Sequence, residues 1–193
     1  MTIKTRIGIL ALQGDFEKHR QVIAKIGCEP VFVRTKAELD SVAGLIVPGG
    51  ESTTLTNLMK KHGLWDEIIA FGREKPIFGT CAGLIVLAKK VLSNHVETLG
   101  LIDVTVARNA YGRQVDSFID DLQLNLNGHP ANLEGVFIRA PKIVSLGERV
   151  LPLAWHKEDV VMAESGNIMV ATFHPELTDD VRVHEYFLRK VTP

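Results

Sequence analysis

The stretch that most constrains the fold is Phe78-Gly79-Thr80-Cys81-Ala82-Gly83. Pro76-Ile77-Phe78 is apolar and reads as a short buried strand. Leu84-Ile85-Val86-Leu87-Ala88 reads as an apolar helix that begins straight after the turn. A Gly-x-Cys-x-Gly turn between strand and helix is the cysteine form of a nucleophile elbow, which pushes one side chain out at the carboxyl end of a sheet. The flanking glycines fit a turn with no room for a Cβ. The helix after Cys81 places partial positive charge near the sulfur, which favours a thiolate. A buried cysteine between structural glycines is the ordinary alternative. The elbow makes it a nucleophile if a base lies elsewhere in the chain.

The strand-turn-helix unit recurs. Ile7 to Leu12 is a near-continuous apolar run, as in a parallel strand buried on both faces. Asp15 is placed to cap a helix with apolar positions at Phe16, Val22, Ile23 and Ile26, and Gly27 is placed to end it. Strands follow around Pro30 to Val33 and at Leu45-Ile46-Val47, and a further helix is expected over Trp65 to Arg73. Alternating strands and helices give βαβ units and a parallel sheet with ligands at the strands' carboxyl ends. The third strand runs into Pro48-Gly49-Gly50-Glu51-Ser52-Thr53-Thr54, where Ser52 or Thr53 is expected to cap a helix carrying Leu55, Leu58 and Met59. Backbone N–H groups at such a glycine turn suit an anion or oxyanion. The stretch alone fits a plain tight turn equally well, and it lacks the Gly-Lys-Ser/Thr ending of a phosphate loop. The Gly49-Gly50 and Cys81 turns end successive strands, so in a parallel sheet they share one edge.

After Val91 the pattern changes. Val104 to Ala107, Val115 to Ile119, Val136 to Arg139, Val150 to Trp155 and Val160 to Ala163 are short, partly alternating runs, expected to add antiparallel strands. Gly128-His129-Pro130 reads as a surface turn, and Ser165-Gly166-Asn167 as a hairpin turn. A last helix is expected over Asp180 to Val191, burying Val183, Phe187 and Leu188. The fold class is therefore α/β: one domain over residues 1–193, with a mostly parallel central sheet flanked by helices.

The 193 residues, 46% of them hydrophobic, suffice for one domain with a sizeable core. A formal net charge of −1, with basic residues at most in pairs, gives no reason to expect a nucleic-acid partner. No apolar stretch is long enough to span a bilayer. Met1 to Arg6 is short and polar and leads into a strand, so no signal peptide is expected. Cys28 and Cys81 make no disulfide scaffold, and pairing them would block the nucleophile. A reduced, cytoplasmic setting is the expectation.

The base must be one of seven histidines. His19, His62 and His184 sit in helical patterns full of charges and read as solvated. His95 and His129 lie among turn residues. His156, followed by Lys157-Glu158-Asp159, reads as exposed. His174 follows an apolar strand, and Glu176 comes two residues later, on the same side of an extended chain. A carboxylate there can fix the tautomer of the ring and stabilise its charged form. Cys81, His174 and Glu176 thus form a candidate nucleophile, general acid/base and orienting carboxylate. A metal set of His174, Glu176, Asp179 and His184 has no H-E-x-x-H or Cys/His cluster to support it, and no metal or cofactor is expected.

Taken together, Pro48-Gly49-Gly50-Glu51-Ser52, Gly79-Thr80-Cys81-Ala82-Gly83 and His174-Pro175-Glu176 resemble the class I (triad) glutamine amidotransferases, which have a flavodoxin-like fold. Leu12-Gln13-Gly14-Asp15, the Arg108 to Phe118 stretch and Val136 to Pro141 are similar to the glutaminase subunits of pyridoxal 5′-phosphate synthases. The resemblance covers nearly the whole chain; Ser93 to Thr98 and Asn125 to Glu134 fall outside it. It implies hydrolysis of L-glutamine through a thioester, with ammonia passed to a barrel-type synthase subunit in a large hetero-oligomer. It also implies glutamine contacts at Gly50, Glu51, Ser52, Arg108, Ile138 and Arg139. The oxyanion hole would use the N–H groups of Gly50 and Ala82. Without the resemblance, Arg108 and Arg139 read as ordinary surface ion pairs. Three other readings stay open on the residues: the same chemistry feeding another acceptor such as imidazole glycerol phosphate synthase, an ester hydrolase, and a non-catalytic binding subunit.

Overall fold

A computed structural model describes residues 4–92, 96–108 and 117–192. The first half runs β1 (Arg6–Leu10), α1 (Phe16–Lys25), β2 (Glu29–Val33), α2 (Lys36–Asp40), β3 (Gly44–Val47), α3 (Ser52–Lys61), α4 (Trp65–Glu74), β4 (Ile77–Thr80) and α5 (Ala82–Leu87). The second half runs β5 (Ala88–Val91), β6 (Ile102–Ala107), β7 (Ser117–Leu126), β8 (His129–Ile138), β9 (Lys142–Leu146), β10 (Leu151–His156), β11 (Asp159–Ser165) and β12 (Ile168–Ala171). A 3-10 turn, Pro175–Leu177, and α6 (Arg182–Val191) close it.

A nine-stranded sheet has the order β2-β1-β3-β4-β12-β11-β10-β7-β8. Its first five strands are mutually parallel, and the rest pair antiparallel. The chain's last strand, β12, therefore inserts beside β4. This brings a segment from the end of the chain next to the elbow in its middle. A second sheet, β5-β6-β9, was not foreseen. It begins at Ala88, where the expected helix has already given way to strand.

Side chains alternate across the parallel strands. Leu45 and Val47 join the core with Leu55, Met59, Ile68 and Leu84 from α3, α4 and α5. Ile46 and Phe78 point the other way, against Ile23 of α1 and Val183 and Phe187 of α6. Burial on both faces is what produces the unbroken apolar runs.

Several local expectations change. The Asp15 side chain makes no cap bond to α1. Glu51, not Ser52 or Thr53, caps α3, accepting from the N–H groups of Thr53 and Thr54. It wins because Ser52 is already the first helical residue and is buried. The surface turn expected at 128–130 lies one residue earlier, at Asn127-Gly128, both at positive φ (54° and 79°), so that His129 and Pro130 are strand. That is the two-residue hairpin loop that matches strand twist. The Gly166-Asn167 turn joins β11 to β12 as expected. The start of the strand expected at Val115 lies outside the described residues.

Candidate active site

Because β1, β3, β4 and β12 are parallel, the segments leaving their carboxyl ends meet on one rim. These are Gln13-Gly14 after β1, Gly49-Gly50 after β3, Cys81 after β4 and His174 after β12. Cys81 sits at φ 48°, ψ −102°, a sparsely allowed conformation for a residue with a Cβ. Its N–H donates to Ala171 O (2.9 Å), fastening the elbow to β12. The glycines around it leave no space: a Cβ on Gly79 would lie 2.6 Å from Leu87 Cδ1, and one on Gly83 would lie 2.0 Å from Val47 O.

The Cys81 thiol points out of the elbow, with Ile138 O at 3.8 Å as acceptor. Ile138 ends β8, and Arg139 after it is exposed and at φ 43°. Gly49 packs against both residues: a Cβ there would lie 2.5 Å from His174 Cε1 and 3.4 Å from Cys81 Cβ. His174 and Glu176 are buried, and His174 Nδ1 donates to Glu176 Oε1 at 2.7 Å. The link between them is a 3-10 turn with Pro175 at its start, not the extended chain expected, and the turn still brings the two side chains together.

Burial works against a charged His174, but Cys81 and then Glu176 outweigh it and push its pKa up to about 10. Glu176 is likewise opposed by burial, yet His19 and His174 hold it down at about 2. A charged imidazole locked to a carboxylate at neutral pH is equipped to hand a proton to a leaving amine.

The expected contacts for an amino-acid substrate fall around this centre. Glu51 is exposed, and although its partial burial opposes charge, the Thr54 hydroxyl and the N–H groups of Thr53 and Thr54 hold it at about 2. Arg108 reaches it at 3.1 Å. Ser52 is buried, and its Oγ has no hydrogen-bond partner among the described residues. Ala82 is the first residue of α5, so its N–H has no partner within that helix. Residues 109–116 of the Arg108 to Phe118 stretch lie outside the described residues, as does His95.

The metal set considered from sequence is not assembled. Asp179 is exposed and pairs with Lys25 at 3.7 Å. Asp15, His174 and Glu176 do have polar atoms all within 4.8 Å of one another. A cation held there would compete with the His174–Glu176 bond.

These observations agree with one comparison in particular. The sequence profile of the SNO glutamine amidotransferase family matches residues 9–193. The chain belongs to that family. Curated relatives named "Pyridoxal 5'-phosphate synthase subunit PdxT" include one from Solibacter usitatus, 48% identical over 190 residues (96% of this chain, 99% of the relative). Another, from Thermococcus kodakarensis, is 49% identical over 195 residues (96% and 98%). A solved glutamine amidotransferase is 43% identical, with a TM-score of 0.91, covering 97% of this chain and 99% of that one. At 18% identity and a TM-score of 0.73, the Thermotoga maritima PurLQS structure shares the fold, covering 96% of this chain and 98% of that one.

The sequence of this SNO-family chain did not reveal the placement of five side chains. Gln13 Oε1 accepts from Glu51 N (3.0 Å) and so holds the glycine turn. Asp15 lies at the rim. His19 and His184 are wholly buried, not solvated, and His156 is buried too, paired with Asp120 at 2.8 Å beside Phe118 and Phe137. Helical spacing carried the missed signal: His19 lies three and four residues before Val22 and Ile23, and His184 three before Phe187, all on the buried faces.

Proposed function

We propose that this chain is the glutaminase subunit of a pyridoxal 5′-phosphate synthase, hydrolysing L-glutamine to L-glutamate and ammonia with Cys81, His174 and Glu176 as its triad. Family membership and near-full-length similarity to the PdxT relatives support the activity. The observation that carries the triad is the convergence of the Cys81 elbow and the His174–Glu176 pair on one sheet rim, with Gly49 packed against both Cys81 and the His174 ring.

The Cys81 thiolate attacks the glutamine carboxamide carbon, and the carbonyl electron pair moves onto oxygen. The oxyanion is held by the N–H groups of Ala82 and of Gly50 in the turn after β3. Collapse breaks the C–N bond while the His174 imidazolium gives its proton to the nitrogen, releasing ammonia and leaving a γ-glutamyl thioester. Neutral His174 then takes a proton from water as its oxygen attacks the thioester. The second collapse returns the thiolate and frees glutamate. Glu176 holds the Nδ1 proton throughout, leaving Nε2 to carry the transfers. The substrate's ammonium and carboxylate are met by Glu51 and by Arg108 and Arg139, with Ser52 and Ile138 completing the pocket.

Ammonia is nucleophilic only when unprotonated, and it escapes if released to water. A sealed route into a synthase subunit follows, which the resemblance describes as a barrel-type chain in a large hetero-oligomer. Residues 1–193 act as one domain. No helix among the described residues is long and apolar enough to cross a membrane, and a cytoplasmic setting suits the free thiol.

The test is glutamate release from glutamine with and without the synthase subunit. Wild type should be slow alone and activated by the partner. Cys81→Ala should be inactive yet still bind the partner. Full activity in that variant would end the proposal.

A further inference from the structure

Behind Glu176, on the side away from His174, lies a second pair of imidazoles that the hydrolysis does not use. His19 of α1 and His184 of α6 are each 0% exposed. His19 Nδ1 and His184 Nε2 are 3.0 Å apart. His19 Nε2 is 3.2 Å from Thr80 Oγ1 and 3.4 Å from Glu176 Oε2. Glu176 Oε2 and His184 Nδ1 have no hydrogen-bond partner among the described residues.

Only one arrangement of protons suits these neighbours. A carboxylate accepts and cannot donate, so a bare His19 Nε2 facing Glu176 Oε2 would set lone pair against lone pair. With the proton on Nε2, His19 Nδ1 is an acceptor and takes its bond from His184 Nε2–H. His184 Nδ1 is then an unprotonated nitrogen in an apolar setting. The reverse arrangement would bury an orphaned N–H there, which costs more. The order therefore runs His184 Nε2–H to His19 Nδ1, and His19 Nε2–H toward Thr80 and Glu176.

We infer that His19 and His184 are positioning residues: they aim a fixed N–H dipole at the far oxygen of Glu176, keeping that carboxylate charged and its near oxygen turned to His174. The inference rests on the triad reading above. Neutral imidazoles suit this work, because a second cation would compete with His174 for the carboxylate. Burial depresses both pKa values, His184 to about 3 with His19 adding to the effect, so the pair stays neutral. The other titratable groups facing the cluster are His174, which in turn meets Cys81, and Asp15 from the turn before α1.

The test uses the chain with its synthase subunit and follows kcat and KM for glutamine against pH in wild type, His184→Leu, His184→Gln, His19→Leu and His19→Gln. Without the dipole, Glu176 takes up a proton at higher pH, and His174 loses part of its counter-charge. In the Leu variants the acid limb of the kcat/KM profile should move up and the alkaline limb down, each by about one unit, with KM nearly unchanged. Glutamine, whose amide N–H can replace an Nε2–H, should restore the limbs. In case a Leu variant fails to fold, histidine nitrogen NMR of the wild type reads the proton order directly, with Nε2–H expected on both rings. Limbs coincident with wild type, or a proton on His19 Nδ1, would overturn the inference while leaving the triad intact. An inactive wild-type complex would instead sink the triad reading.

Discussion

The Glu176 carboxylate is tied to the His174 ring at 2.7 Å across a single intervening proline. A neutral amide keeps the shape of that contact but not its charge, and it can present N–H where the ring needs an acceptor. Glu176→Gln should lower kcat by roughly 100- to 10,000-fold, by analogy with triads in which the orienting carboxylate becomes an amide. KM for glutamine should change little. The measurement is steady-state glutamate release with the synthase subunit present, and a loss under threefold would remove Glu176 from the triad.

Gly49 has no side chain because the ring of His174 occupies its place. A Cβ would stand 2.5 Å from His174 Cε1, a distance that forces movement. Gly49→Ala should therefore displace the imidazole from the thiol and cut kcat at least ~100-fold, since small misplacements of reacting groups are that costly. The elbow and sheet are untouched, so melting temperature should shift far less than activity does. Near-normal kcat would show that the ring has slack.

Glu51 carries two loads, a helix cap and an ion pair with Arg108. Glu51→Ala should cost about 1 kcal/mol of stability through the lost cap and raise KM for glutamine. Glu51→Asn, a good cap without charge, should recover the stability and leave KM high. Chemical denaturation gives the first quantity and kinetics the second. If Asn restores both, Glu51 serves the helix and not the substrate.

What the sequence could reveal followed from how each signal is encoded. Leu45-Ile46-Val47 and Pro76-Ile77-Phe78 are buried on both faces, and nothing but apolar residues survives there, so the parallel centre was readable. Cys81 was readable because a strand, two glycines and a helix surround it. His174 stood out by closing the mostly apolar run, Ile168 to Phe173, that holds β12. His19 and His184 did not, because Glu17, Lys18 and Arg20, and Arg182 and Glu185, crowd the same stretches and mask the buried faces they share with Val22 and Ile23 and with Val183 and Phe187. The β7–β8 hairpin was obscured for the opposite reason: its exposed face makes every other residue polar, as in Asp121, Gln123 and Asn125, so the segment resembles loop. Glu51 displaced Ser52 as the cap because a helix start is fixed by backbone geometry, which composition leaves free by a residue or two.

The buried imidazoles also make stability depend on pH in a definite direction. The folded pKa of His184 is depressed from its ordinary 6.5 to about 3. Between those values the unfolded chain binds a proton that the folded chain does not, so stability rises with pH and falls as pH drops below 6.5. His19, also depressed by burial, acts in the same sense. His174 is raised from 6.5 to about 10, so its contribution is complete below 6.5 and disappears as pH climbs toward 10. Glu176, depressed from 4.5 to about 2, loses its contribution only as pH falls below 4.5. The interval from 4.5 to 6.5 therefore isolates the two neutral imidazoles. Across it, wild type should lose more stability in urea on acidification than His184→Gln does. Parallel curves for the two proteins would mean that His184 is already protonated in the fold.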